Sequence, residues 1–341
     1  MNKKISIKID EYFKELERKK EFSGTILVAM EDHVIIKESY GISNHDFDLP
    51  NTLNTKFCVA SITKSITAMA IMILAQQNKL DLNDTLDMYI PDYSNGNKIM
   101  IHHLLTHTSG LSSLYNNTEY QMYIRENHTF DEYIDKFKHN PSANEPGEKF
   151  EYSNMGYSLL SYIIENVSAK TYNDFIIENI FDKLCMKNTG CFRNERILKN
   201  RASGYSMIDG KLVNCSMKNI SAFYGAGDLY STIEDMYAWT KALLKRELLN
   251  EVYSEKLLRD YGQVYDDFYY GYGKIMFKKN NKIKYFYQDG GLPGFKSIYL
   301  IYPEKHVTVI LLSNYDFINM MSIINKIEEI VFQHPSTFKI D

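Results

Sequence analysis

Cysteine is scarce: Cys58, Cys185, Cys191 and Cys215 are the only four in 341 residues. None forms a C-x-x-C pair, so the chain encodes no disulfide framework, and the thiols read as free and buried. Proline is also sparse, at seven residues, and no Pro-rich or low-complexity stretch marks a domain break. The longest apolar run, Ile66 to Ala75, is too short to cross a bilayer. Neither sign of charge dominates: 39 Lys and Arg face 43 Asp and Glu, a net −4. That balance excludes a nucleic-acid-binding surface and a polybasic membrane surface. At the N-terminus, Lys8, Asp10 and Glu11 interrupt any apolar core, so no signal peptide is read there and the expected setting is cytoplasmic.

Chemical signatures are missing too. There is no G-x-x-x-x-G-K-[ST], no G-x-G-x-x-G and no H-E-x-x-H. Without a G-x-S-x-G the nucleophile elbow of α/β-hydrolases is excluded.

What remains is an ordinary globular composition, 44% hydrophobic and 24% charged, unusual only in its 27 tyrosines. Ile5, Ile9, Tyr12, Phe13 and Leu16 share one helical face. GTILVAM and HVIIKESYG, parted by Glu31 and Asp32, predict a hairpin. After Ser61, SITAMAIMILAQQ is apolar nearly all round and predicts a buried helix. Asn154 to Val167 and Thr232 to Leu249 carry helical periodicity. From about residue 270, YGKIMF, KIKYFY, FKSIYLIY and VTVILL predict strands, and Phe317 to Phe332 a closing helix.

Strands at both ends and helices between them predict an α/β (α+β) two-lobe fold. Residues 1–60 and 251–341 would build an antiparallel sheet flanked by the terminal helices. Residues 61–250 would form a mostly helical lobe, with the site where the lobes meet.

Three short patterns carry chemistry. In Ser61-Ile62-Thr63-Lys64, a helix start puts hydroxyl and amine on one face, and a buried Lys can act as a base. The helix N-terminus adds free N–H groups for an oxyanion. Tyr152-Ser153-Asn154 supplies a phenol that a nearby Lys can turn into a proton shuttle. Asp289-Gly290-Gly291 lets a ligand approach the backbone. Each pattern alone is cheap. Ser336-Thr337-Phe338-Lys339 repeats the first; Tyr93-Ser94-Asn95 and Tyr115-Asn116-Asn117 repeat the second.

Context separates them. FCVASITKSITAMAI around Ser61, IHHLLTHTSGL, EPGEKFEYSNMGYSLLSYIIE, LCMKNTG, GAGDLYST and DGGLPGF occur in that order. Together they resemble the serine β-lactamase and penicillin-binding protein family, in the class C β-lactamase-like branch that includes D-amino-acid peptidases and carboxylesterases. Tyr152 lies 91 residues after Ser61, a spacing that suits this branch. The resemblance implies Ser61 as acylated nucleophile, Lys64 as its activator, Tyr152 as general base or acid and Asn154 as their polar neighbour. The N–H groups of Ser61 and Leu292 would form the oxyanion hole. Lys64 and Tyr152 both remain candidates for the first base.

One position departs from the family pattern. The third motif there begins with Lys, His or Trp, whereas here it is Asp289. An ionised Asp289 lining the site would repel a substrate carboxylate. The resemblance thus implies a serine hydrolase acting on a small ester, peptide or β-lactam-like substrate, with no cofactor and no metal. Oligomeric state is unassigned. The rival readings are an acyl-trapping sensor or scaffold, supported by Asp289, and a metal-dependent hydrolase using His102, His103 and His107. Tyr269, Tyr270 and Tyr272 read as packing residues or as a cleft wall.

Overall fold

The computed structural model describes residues 2–336, apart from 112–116, 124, 127, 141, 194, 217 and 218. Helix α1 (Asn2–Arg18) buries Ile5, Ile9, Phe13 and Leu16, the face its sequence spacing predicts. Strands β1 (Gly24–Met30) and β2 (His33–Tyr40) form the expected hairpin. Glu31 and Asp32 both take positive φ there (49° and 65°), as a tight turn between right-twisted strands demands.

Six more strands come from the C-terminal part: β3 (Gly262–Tyr265), β4 (Phe268–Tyr270), β5 (Ile275–Lys279), β6 (Lys282–Leu292), β7 (Phe295–Tyr302) and β8 (Val307–Ser313). All eight join one antiparallel sheet in the order β3-β4-β5-β6-β7-β8-β1-β2. The N-terminal hairpin closes onto the last strand, with Gly24 opposite Ser313.

Several boundaries differ from the sequence reading; the closing helix, for one, begins at Met320 rather than Phe317. Strands start before residue 270, because Phe268-Tyr269-Tyr270 is apolar on both faces and shows no alternation. YGKIMF becomes a strand only at Ile275; Gly273 turns at φ 72°, with Lys64 O only 2.6 Å from where a Cβ would stand. The helix read to Leu249 is α4 (Ile233–Lys245), stopped by Arg246 in a left-handed conformation.

The sheet is covered on both faces, so alternate residues enter different cores. Ile26, Val28, Ile298 and Leu300 pack with α1 and α5 (Met320–Phe332). Leu27, Ala29, Tyr299 and Ile301 pack instead toward α2 (Thr63–Gln76), α3 (Asn154–Ser168) and α4. Every residue of α2 from Thr63 to Ala75 is buried, including Lys64, in keeping with a pattern that is apolar nearly all round. Among the described residues no helix is long and apolar enough to cross a membrane. The four cysteines are unpaired; Cys58 and Cys191 are buried, Cys215 is half-buried, and Cys185, read as buried, is exposed.

Candidate active site

Ser61 occupies the turn Ala60–Ile62 that leads into α2. Ala60 before it has φ 47°, a left-handed conformation that costs alanine roughly 1–2 kcal/mol. Its neighbours hold it there. Ser297 Oγ donates to Val59 O at 2.8 Å, Thr63 Oγ1 donates to Ala60 O at 2.7 Å, and Val59 N–H donates to Leu229 O at 2.9 Å. Gly290 on β6 lets the sheet press against the turn: a Cβ there would stand 2.3 Å from Val59 O and 3.0 Å from Ala60 Cβ.

One helical turn on, Lys64 has no exposed surface. Its Nζ reaches Ala226 O at 2.7 Å, Asn154 Oδ1 at 2.8 Å and Ser61 Oγ at 3.2 Å. The Tyr152 and Tyr157 rings lie 4.8 and 5.7 Å from the amine. Burial pulls the Lys64 amine down to about 7, with the Asp289 charge opposing that shift. A neutral amine has two N–H groups and one lone pair. Ala226 O and Asn154 Oδ1 take the N–H groups, which leaves the lone pair for the Ser61 hydroxyl.

Tyr152 OH donates to Ser61 Oγ at 2.8 Å from the other side. Tyr152 is carried into place by the start of α3, where Ser153 is the N-cap and its Oγ accepts from Gly156 N–H. Ser153 does the capping, so Asn154 is left to reach Lys64.

Ser61, Tyr152 and Asn154 open on a cavity of about 270 Å³ walled by Ala60, Phe223, Ala226, Gly227, Gly291 and Leu292. A larger groove, about 610 Å³ along residues 43–55 and 195–203, contains none of the sequence-predicted residues. The repeats of the motifs fall elsewhere. Ser94 hydrogen-bonds His139 on another loop, and Thr337 to Lys339 with Tyr115 and Asn116 lie outside the described residues.

Two expectations for β6 change. Asp289 does not line the cavity. It pairs with Ile298 and shares the strand face of Tyr287, which packs toward α1 and α5, whereas Gly290 faces the nucleophile turn. Burial raises the half-buried Asp289 carboxyl, with Lys296 and Lys64 opposing. Both effects weaken the repulsion of a substrate carboxylate. The N–H that faces away from β7 is also one residue earlier than expected. Leu292 pairs with Phe295 across the two-residue turn Pro293-Gly294, and such a closing pair exchanges its N–H groups. The Gly291 N–H then points away from β7. A Cβ on Gly291 would meet nothing within 4 Å.

Residues 9–326 match the Beta-lactamase family. The chain belongs to that family. Among its relatives is the putative penicillin-binding protein PbpX of Bacillus subtilis, 31% identical over 73% of this chain. The chain spans 61% of the length of that relative. A crystal structure of a penicillin-binding protein from Bacillus halodurans superposes with a TM-score of 0.83 at 29% identity, covering 92% of this chain and 98% of that one. D-amino acid amidase from Ochrobactrum anthropi shares the fold, with a TM-score of 0.82 at 21% identity over 97% of this chain and 99% of that one.

Within this β-lactamase-family site, some participants gave no sequence signal. The Ala226 carbonyl is backbone and so invisible to a motif. Its loop is pinned by buried Asp228, whose Oδ1 accepts from Gly225 N–H at 3.0 Å and whose Oδ2 pairs with Arg193 at 3.2 Å. The histidines do not form a metal cluster. The helix Ile101–Leu105 ends before His107, which turns at φ 58°, so His103 and His107 leave the shared face that an i, i+4 reading requires. His103 Nδ1 accepts from Met100 N–H, and His102 Nδ1 lies 2.9 Å from Tyr272 OH. Among the described residues no three His, Cys, Asp or Glu side chains gather as a metal site.

Proposed function

We propose that the protein is a serine hydrolase that cleaves a small ester or amide through an acyl-enzyme on Ser61. The observation that carries this reading is the placement of Ser61 Oγ between Tyr152 OH at 2.8 Å and Lys64 Nζ at 3.2 Å. A hydroxyl becomes a nucleophile when a base in hydrogen-bond reach takes its proton. Lys64, pulled down to about 7, is available as the free amine near neutral pH.

In this mechanism Ser61 Oγ attacks the carbonyl carbon and its proton passes to Lys64 Nζ. The oxyanion of the tetrahedral intermediate is held by the N–H groups of Ser61 and Gly291. Tyr152 gives its proton to the leaving oxygen or nitrogen as the bond to the acyl carbon breaks. The Lys64 ammonium then restores that proton to Tyr152. In deacylation a water attacks the ester, and its proton passes through Tyr152 to Lys64. The same proton returns to Ser61 Oγ as the acyl–oxygen bond breaks. Every proton is accounted for by these side chains.

The cavity favours a modest, uncharged acyl group, since Phe223, Leu292, Ala60 and Ala226 supply apolar wall and its described lining has no Lys or Arg. The acyl-trapping reading drew on Asp289 and loses that support now that the carboxyl faces away from the cavity. Intact-protein mass spectrometry during turnover of a p-nitrophenyl ester tests the proposal. It predicts a transient adduct of one acyl group that is absent from Ser61→Ala. An adduct that persists in Ser61→Ala, or none in either protein alongside unchanged turnover, overturns it.

A further inference from the structure

The buried imidazole of His107 has no part in the proton path above, yet two hydrogen bonds of this residue flank one catalytic side chain. Its backbone carbonyl accepts from Glu151 N–H at 2.7 Å, and its Nδ1 accepts from Ser153 N–H at 3.1 Å. His107 therefore grips the chain on both sides of Tyr152. The two rings are in contact, with centroids 4.4 Å apart and planes 37° from parallel. We infer that His107 is the positioning residue that sets the Tyr152 hydroxyl on Ser61. This rests on the hydrolase reading and extends it to a residue to which the family resemblance assigned no catalytic role.

The ring can do this in one protonation state only. Nδ1 receives an N–H, so the single ring proton sits on Nε2, which lies 3.2 Å from Tyr270 OH. Tyr270, Tyr157 and Phe150 close round the imidazole with centroids at 4.7, 5.0 and 5.7 Å. Burial, and then the Lys64 charge, hold His107 well below its ordinary value, which keeps Nδ1 free to accept. The left-handed backbone at His107, φ 58°, turns the ring back over residues 151–153. An imidazole ring with an acceptor at Nδ1 meets both demands at once. Phenylalanine offers the ring without the acceptor, and glutamine an acceptor without the ring.

The test is a double-mutant cycle on acylation by p-nitroacetanilide, whose leaving amine needs the Tyr152 proton, beside the pre-steady-state burst with p-nitrophenyl acetate, whose leaving phenolate needs none. His107→Phe is expected to keep the fold, to slow acylation ~10–100-fold through a displaced phenol, and to change KM little. Tyr152→Phe combined with His107→Phe is expected to be no slower than Tyr152→Phe alone, because the histidine acts only through the phenol. Should His107→Phe not fold, His107→Gln, which can still accept from Ser153 N–H, takes its place in the cycle. Anilide cleavage slowed by Tyr152→Phe but untouched at position 107 overturns the positioning role alone. So does a double variant slower than Tyr152→Phe by the full factor of the single His107 variant. A wild-type protein without any Ser61-dependent burst overturns the hydrolase reading, and this inference falls with it.

Discussion

Tyr152 OH stands 2.8 Å from Ser61 Oγ although 91 residues separate them. The contact joins the start of α3 to the turn before α2, and all else in the site is arranged around it. In the proposed mechanism, removing the phenol removes the proton donor for the leaving group while leaving Ser61 and Lys64 in place. Tyr152→Phe should therefore lower kcat by about 10²–10⁴ with a nearly unchanged thermal midpoint. Steady-state kinetics and a melting curve on the same preparation check this.

The pH dependence follows from Lys64. In the proposed mechanism the active form is the free amine, so kcat/KM should rise with pH and level off above about 7. Lys64→Arg, which stays protonated, should lose that limb together with the activity. Stability carries the same signature with a definite sign. The folded-state value lies below the unfolded value of 10.5, so the folded chain binds fewer protons between about 7 and 10.5. The burial cost is fully present below about 7 and disappears as pH rises toward the unfolded value. Lys274, also buried and held at about 7, adds a second contribution of the same sign. Urea denaturation from pH 7 to 10 should show stability rising, and Lys64→Met should reduce that slope by at most ~1.4 kcal/mol per pH unit.

The two adjacent glycines should behave differently. Gly290→Ala forces a methyl to within 2.3 Å of Val59 O, so it should lower the melting temperature and disrupt the nucleophile turn. Gly291→Ala meets no atom within 4 Å and should fold as the wild type does. On the strand its methyl leaves from the face of Asp289, opposite the nucleophile turn, so kcat/KM across an acyl-chain series should stay near wild type. Parallel melting curves and an acyl-chain series distinguish the two.

Asp289 acts on the site at a distance. Its charge opposes the downward shift of Lys64, so Asp289→Asn should move the activity limb to lower pH. The preference between neutral and carboxylate-bearing esters should change little, because the carboxyl does not line the cavity. A pH profile of kcat/KM with both substrate types measures both effects.

The sequence made part of this site legible. Ser61 and Lys64 are three residues apart at a helix start, a spacing that places them together whatever the rest of the fold does. The α1 stripe, the first hairpin and the buried α2 are likewise local patterns with a fixed period. Asp289 was misread because two polar residues, Gln288 and Asp289, precede the glycines, and which of them faces the site depends on strand register. The same register decides between Gly291 and Leu292 as the oxyanion donor. Ala226 contributes a carbonyl, and His107 contributes through rings drawn from three separate segments. Both lie in quoted segments, GAGDLYST and IHHLLTHTSGL, but a linear pattern does not state which group a carbonyl or a packed ring touches.

The most direct test of the acyl-enzyme account is the stopped-flow time course of p-nitrophenol release from a short p-nitrophenyl ester, wild type against Ser61→Ala. The account predicts a burst approaching one equivalent per protein followed by steady turnover, both absent from the variant. Equal release by the two proteins, or a wild-type burst that stalls without turnover, would contradict it.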